Sequence, residues 1–143
     1  MRTLLLMVLL AAGAWASEEH EEGGGARTGP TKAVLAASNE HGMKLSEKAL
    51  RRLGIQTTRL AGAGPYRVST KALIYSKEEV GIYRLRDGWY KHIYVEVSGK
   101  ERGSAAIGAR DLKAGDQVVV AGAPFLRVAE LDVLGGEEAG HGH

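Results

Sequence analysis

Asp87-Gly88 sits between two runs of alternating side chains, Val80 to Arg86 and Trp89 to Val97, and this arrangement limits the fold more than any other feature. Both turn residues tolerate the positive φ of a type I′ turn, whose twist matches that of paired antiparallel strands. With Arg86 opposite Trp89, Ile82 falls opposite Ile93 and Tyr83 opposite His92. Val80, Ile82, Ile93, Val95 and Val97 then share one face of the hairpin. Tyr83, Leu85, Tyr90, His92 and Tyr94 share the other, because a strand alternates its side chains.

The same period of two recurs on both sides. Ile55 to Leu60 is a short strand candidate, and Ala61 to Pro65 is a turn. Tyr66 to Tyr75 alternates Tyr66, Val68, Thr70, Ala72 and Ile74 against Arg67, Ser69 and Lys71, as a half-buried strand does. Ser98-Gly99 is a turn signal. Lys113-Ala114-Gly115-Asp116 is another, leading into the buried-strand run Gln117 to Ala121. Phe125 to Leu131 fits either a last strand or a short helix, and Pro30 to Ser38 is undecided despite Val34 and Leu35.

One segment reads differently. Ser46 is a helix N-cap, Glu47 complements the positive end, and Arg51 and Arg52 complement the negative end. Leu45 and Leu50 hold the two positions of a hydrophobic staple, and Gly54 suits the left-handed residue that stops a helix. No repeat of fixed period is present. The expected architecture is therefore mostly β: a small antiparallel barrel or sandwich with one short N-terminal helix and flexible tails.

The ends look unlike this body. Arg2, the apolar run Leu4 to Ala12 and Ala14-Trp15-Ala16 match the three parts of a secretory signal, so residues 1–16 are expected to be cleaved after Ala16. The mature chain would then be a soluble periplasmic protein, since no second run approaches the ~20 apolar residues of a membrane span. Residues 17–41 form an acidic, glycine-rich lead, expected to be flexible. Residues 42–64 carry the helix and a strand, 65–134 the β-domain, and 135–143 a flexible tail of His, Gly and Glu.

Composition narrows the chemistry. Nineteen basic against seventeen acidic residues among 143 leave a formal charge of +2. Nothing in that balance suits nucleic acid. Zero cysteines remove disulfides, thiolate metal sites and Cys nucleophiles. No nucleophile elbow, phosphate loop or zinc-protease helix occurs, so no enzyme is expected. The soft ligands are His20, His41, His92, His141 and His143. His141 and His143, beside Glu137 and Glu138, are candidate ligands for a divalent or copper ion, with His20 a further candidate if cleavage falls after Ser17. A solvated tail is the alternative. Tyr83, Trp89, Tyr90, His92 and Tyr94 form a candidate partner surface if their side of the hairpin is uncovered, with Arg84, Arg86 and Lys91 as a basic rim. Otherwise they close the far end of the core.

Two stretches carry a resemblance. LSEKALRRLGIQTTRL (residues 45–60) is similar to the barrel-entry segment of the periplasmic adaptor subunits, or membrane fusion proteins, of tripartite efflux pumps. The heavy-metal branch is the nearest in pattern. DLKAGDQVVVAGAPFL (residues 111–126) resembles the closing segment of the adaptors' membrane-proximal domain, a "GLKxGDxVV" turn and strand. Position 111 departs from it, holding Asp where the family usually has Gly. Neither the lipoyl domain nor a sustained heptad repeat is visible. The resemblance implies an exported, non-enzymatic β-domain working in efflux by protein docking. Its partner would be an inner-membrane efflux transporter or a related adaptor. The histidine-bearing tail also resembles the ends of heavy-metal adaptors, which supports the alternative of a metal-binding protein. A truncated adaptor without its own role is the third reading.

Overall fold

A computed structural model describes residues 27–135. Ten strands, two α-helices and one turn of 3-10 helix make two antiparallel sheets that do not close into a barrel. Strands β1 (Val34–Ser38) and β2 (Gly42–Leu45) form a hairpin, followed by helix α1 (Glu47–Arg52) and strand β3 (Gln56–Arg59). Strand β4 (Tyr66–Ser69), the 3-10 turn Thr70–Ala72 and strand β5 (Ile74–Tyr75) lead to β6 (Val80–Arg86) and β7 (Trp89–Tyr94). Then come β8 (Glu96–Glu101), β9 (Ser104–Gly108), β10 (Gln117–Ala121) and helix α2 (Ala123–Leu134). The larger sheet runs β1-β2-β7-β6-β10-β3, with β5 also on β6; the smaller runs β4-β9-β8.

The hairpin forms in the register its sequence demands. Asp87 has φ 52° and Gly88 φ 79°, and Ile82 pairs with Ile93, Tyr83 with His92 and Arg86 with Trp89. Its two faces serve two cores. Ile82 and Ile93 join Tyr66, Val68, Ile107 and Val118 between the sheets. Tyr83 and Tyr90 join Met43, Leu45, Ala49, Val119 and Leu126 beneath the helices. Central β10 contributes Val118 to one core and Val119 to the other, which is why its run of valines is unbroken.

Helix α1 carries every expected stop and start. Ser46 Oγ accepts from the Ala49 amide at 3.2 Å. At the other end Ile55 N–H donates to Leu50 C=O, Gly54 N–H donates to Arg51 C=O, and Gly54 has φ 62°. These are the paired bonds of a Schellman motif, closed by Leu50 and Ile55 on the same core.

Several expectations need correction. The lead assigned to residues 17–41 is ordered in its last part: β1 pairs with β2, and Thr28 bridges to Val34. Apolar Val34 and Ala37 face the helix-covered core, and that burial decides the segment. The run Tyr66 to Tyr75 is two strands. Ser69 Oγ accepts from Lys71 N–H and starts a 3-10 turn, and the chain crosses there from the small sheet to the large one. Ser98-Gly99 is no turn; it supplies a bulge within β8, and the reversal falls at Gly103, φ 74°. The strand β9 had no counterpart in the sequence reading. Phe125 to Leu131 is helical, and α2 stands beside the single helix expected. Pro124 fits its first turn, where the amide has no partner within the helix.

Candidate docking surface

The covered side of the hairpin settles most of the aromatic candidates. Tyr83 is wholly buried and Tyr90 nearly so, under Met43 and α2, so neither belongs to a partner surface. Trp89 is half-buried, with Lys44 Nζ 4.9 Å from its ring centroid and the His41 ring at 5.5 Å. Tyr94 alone of the five is exposed, at 54%. The basic rim dissolves as well. Arg84 is buried, and Arg84 and Arg86 turn inward to carboxylates on the segment before β10.

That inward turn is a lock. Arg84 Nη1 lies 2.5 Å from Asp111 Oδ2. Arg86 donates from Nε and Nη2 to the two oxygens of Asp116, both at 2.7 Å, a bidentate fork. Asp116 Oδ2 also accepts from the Lys113 amide, which fixes the turn entering β10. Burial alone would raise both aspartates; Arg84 and Arg86, joined at Asp116 by the Lys113 amide, hold both below the usual carboxylate range. Asp111, the departure from the adaptor pattern, thus answers Arg84.

Between β7 and α2 lies a hollow of about 370 Å³, bordered by Lys91, His92, Tyr94, Arg127, Glu130 and Leu134. At its base Tyr83 Oη donates to Glu130 Oε2 at 2.7 Å, and Arg127 Nη1 donates to the same oxygen at 2.6 Å. Burial and the Glu130 carboxylate push the Tyr83 phenol up, so it stays a proton donor. The His92 ring sits 5.3 Å from Tyr83 and 5.2 Å from Tyr94, with Nε2 buried over Gly81 and unpaired. Burial lowers the pKa of His92, partly offset by Glu130. His92 is half-buried and packs between Tyr83 and Tyr94. The arrangement anchors α2 to the sheet by Tyr83 and Glu130.

What α2 leaves outward was missed in the sequence. Ala123 and Leu126 are buried, and Ala129, Glu130 and Val133 also turn inward. Phe125, Val128 and Leu131 are exposed at 56%, 67% and 53%, one apolar stripe at i, i+3, i+6. The signal was present in that spacing, but a segment not settled as helix has no faces to assign. The three side chains make one contiguous apolar row on the outer face of α2.

His20, His141 and His143 lie outside the described residues. Among the described residues no three His, Cys, Asp or Glu side chains converge as a metal would require, and no helix is long and apolar enough to cross a membrane. No protein-family model, curated protein or solved structure matches the chain.

Proposed function

We propose that this chain is an exported, non-enzymatic docking domain of an efflux system, seated on an inner-membrane transporter or a related periplasmic adaptor through the outer face of α2. One observation carries the reading. The two stretches that resemble adaptor segments, far apart in sequence, are neighbours here: β3 and β10 pair with Val118 opposite Thr58 and Gln117 opposite Arg59. Leu60 N–H also donates to Asp116 C=O, and Gly115 N–H to Leu60 C=O, so the end of the first stretch clamps the turn of the second. The two stretches therefore belong to one continuous part of the larger sheet, which is consistent with their resembling segments of one family. The second stretch then runs directly into α2, whose exposed stripe is the largest apolar row the helices leave uncovered.

A docking face of this kind works by burying the stripe against a partner, with a polar border excluding water. The test is binding of residues 17–143 to the periplasmic domains of an efflux adaptor and of an inner-membrane efflux transporter. Binding to one of them, weakened at least tenfold by Val128→Glu with an unchanged circular dichroism spectrum, is the expected result. Absence of binding to both, or binding indifferent to Val128→Glu, overturns the reading.

A further inference from the structure

Between the turn that precedes β1 and helix α1 lies a groove of about 270 Å³, with Thr31, Lys32 and Ala33 on one side and Lys48, Arg52 and Leu53 on the other. Its walls are pinned together. Ser46 N–H donates to the Ala33 carbonyl at 2.9 Å, and Lys32 N–H closes the turn on the Gly29 carbonyl at 3.0 Å. Every charged residue along the groove is a cation. Among the described residues none of these three cations meets a carboxylate, although six arginines elsewhere each do.

The placement of Lys48 and Arg52 works against the helix that carries them. Four residues apart, they stand one above the other on one face, and like charges so placed repel. Lys48 also lies in the first turn, where the helix dipole disfavours a cation. One step round, the same helix avoids the conflict: Arg51 has Glu47 four residues before it, at 3.5 Å. Lys32 then adds a third positive charge from the facing turn. Three cations around one hollow, unneutralised by the body of the protein, weaken the fold unless an anion joins them.

The donors define that anion. Arg52 offers a planar fork, Lys32 and Lys48 offer compact charges, and Thr31 and Ser46 offer hydroxyl protons. Ser46 Oγ already accepts from the Ala49 amide, so the site is built of side chains and owes nothing to the helix end that Ser46 caps. A carboxylate brings one charge on two oxygens. A phosphate monoester brings roughly −1.5 to −2 on three, and so answers more of these donors. Ala49 and Leu53 add an apolar lining for the organic part of such an ester.

We infer that the groove between residues 31–33 and α1 binds a phosphate monoester, with Lys32, Lys48 and Arg52 around the phosphate and the organic group against Ala49 and Leu53. A soluble organic phosphate and the headgroup of phosphatidic acid share this chemistry. The groove is separate from the outer face of α2, and nothing in it rests on the docking function proposed above.

Phenyl phosphate is the probe, titrated into residues 17–143 while NaCl is adjusted to hold the ionic strength constant. The amide signals of Lys32 and of Lys48 to Leu53 should move along one saturable curve. Those of Lys100 and Arg102, also basic but outside the groove, should stay still. Arg52→Gln and Lys48→Gln should each weaken binding about tenfold, the scale of one charge-assisted hydrogen bond, with β6–β7 signals unchanged. Benzoate, the same ring with a carboxylate, should bind far more weakly. Vesicles then identify the source. Sedimentation with phosphatidylcholine vesicles carrying phosphatidic acid, lost in Arg52→Gln and absent with phosphatidylglycerol, assigns a lipid headgroup. Without that selective sedimentation, binding of phenyl phosphate assigns a soluble ester. No saturable shift at the groove, equal shifts at Lys100 and Arg102, binding indifferent to both variants, or equal affinity for benzoate overturns the inference.

Discussion

His92 shows how one packed side chain writes a pH dependence into the fold. Its ring fills the space above Gly81, where a Cβ would collide with it, and its Nε2 has no partner. Burial keeps its folded pKa below the unfolded value of about 6.5. As pH falls below that unfolded value, the unfolded chain takes up a proton that the folded chain refuses, so stability drops. Urea unfolding at pH 7.5 and pH 5.0 should show a loss at the lower pH, and His92→Leu should flatten it. Asp111 and Asp116 act in a different window. Their depressed pKa values stabilise the fold above about pH 4 and cease to do so as pH falls further. Gly42 sets a steric limit of another kind. It has φ 92°, and a Cβ there would meet the Tyr90 carbonyl and come within 2.8 Å of Lys91 Cα. Neither obstacle is a flexible side-chain end. Gly42→Ala should lower the thermal midpoint sharply, by a free energy above the ~1 kcal/mol of an ordinary glycine replacement. An unchanged midpoint would contradict the close packing of β2 on β7.

Elements show where sequence reasoning succeeds and where it stops. The β6–β7 hairpin, α1 and β10 were legible because their determinants are local: Asp87-Gly88, Ser46 with Gly54, and an unbroken Gln117 to Ala121 run. The corner at Ser69 and the bulge at Gly99 were not, because both are set by partners distant in the chain. Thr70 N–H donates to Gly103 C=O, and Gly99 pairs with Ala106. The aromatic surface was read with the correct alternation, yet whether Tyr83 and Tyr90 meet solvent depended on α2, which was undecided between helix and strand. The Arg84–Asp111 and Arg86–Asp116 pairs were likewise invisible until the strands fixed which carboxylates face β6. Asp116→Ala leaves Arg86 without its fork and the turn into β10 without its cap. A loss of about 3–5 kcal/mol is expected from breaking so buried a pair. Asp111→Gly, which restores the residue usual in adaptors, should cost less, because the Asp111 side chain is 52% exposed and the residue-111 carbonyl still accepts from Arg84. Denaturant titration of both variants gives the order. The reverse order would show that the lock is centred on Asp111. Val119→Asp places a carboxylate in the core under the helices, where no cation faces it, and should unfold the domain.

At the scale of the whole molecule, two sheets and two helices divide the chain's work. The core between the sheets holds the smaller sheet to the larger; the core under α1 and α2 orients the outer face of α2. Residues 136–143 are composed of Gly, Glu, Ala and His, a sequence with little to bury, and their removal is expected to leave the thermal midpoint nearly unchanged in calorimetry. A large drop would assign the tail a structural part. The proposed docking requires a rigid platform beneath the stripe. Tyr83 and Glu130 provide one by pinning α2 to the centre of the sheet at 2.7 Å. The most direct measurement is amide hydrogen exchange of residues 17–143, free and mixed with the proposed partner, an adaptor or transporter periplasmic domain. Slowed exchange concentrated between Phe125 and Leu131 is the predicted footprint. Slowed exchange confined to β4, β9 and β8, with α2 exchanging as in the free chain, would contradict the account.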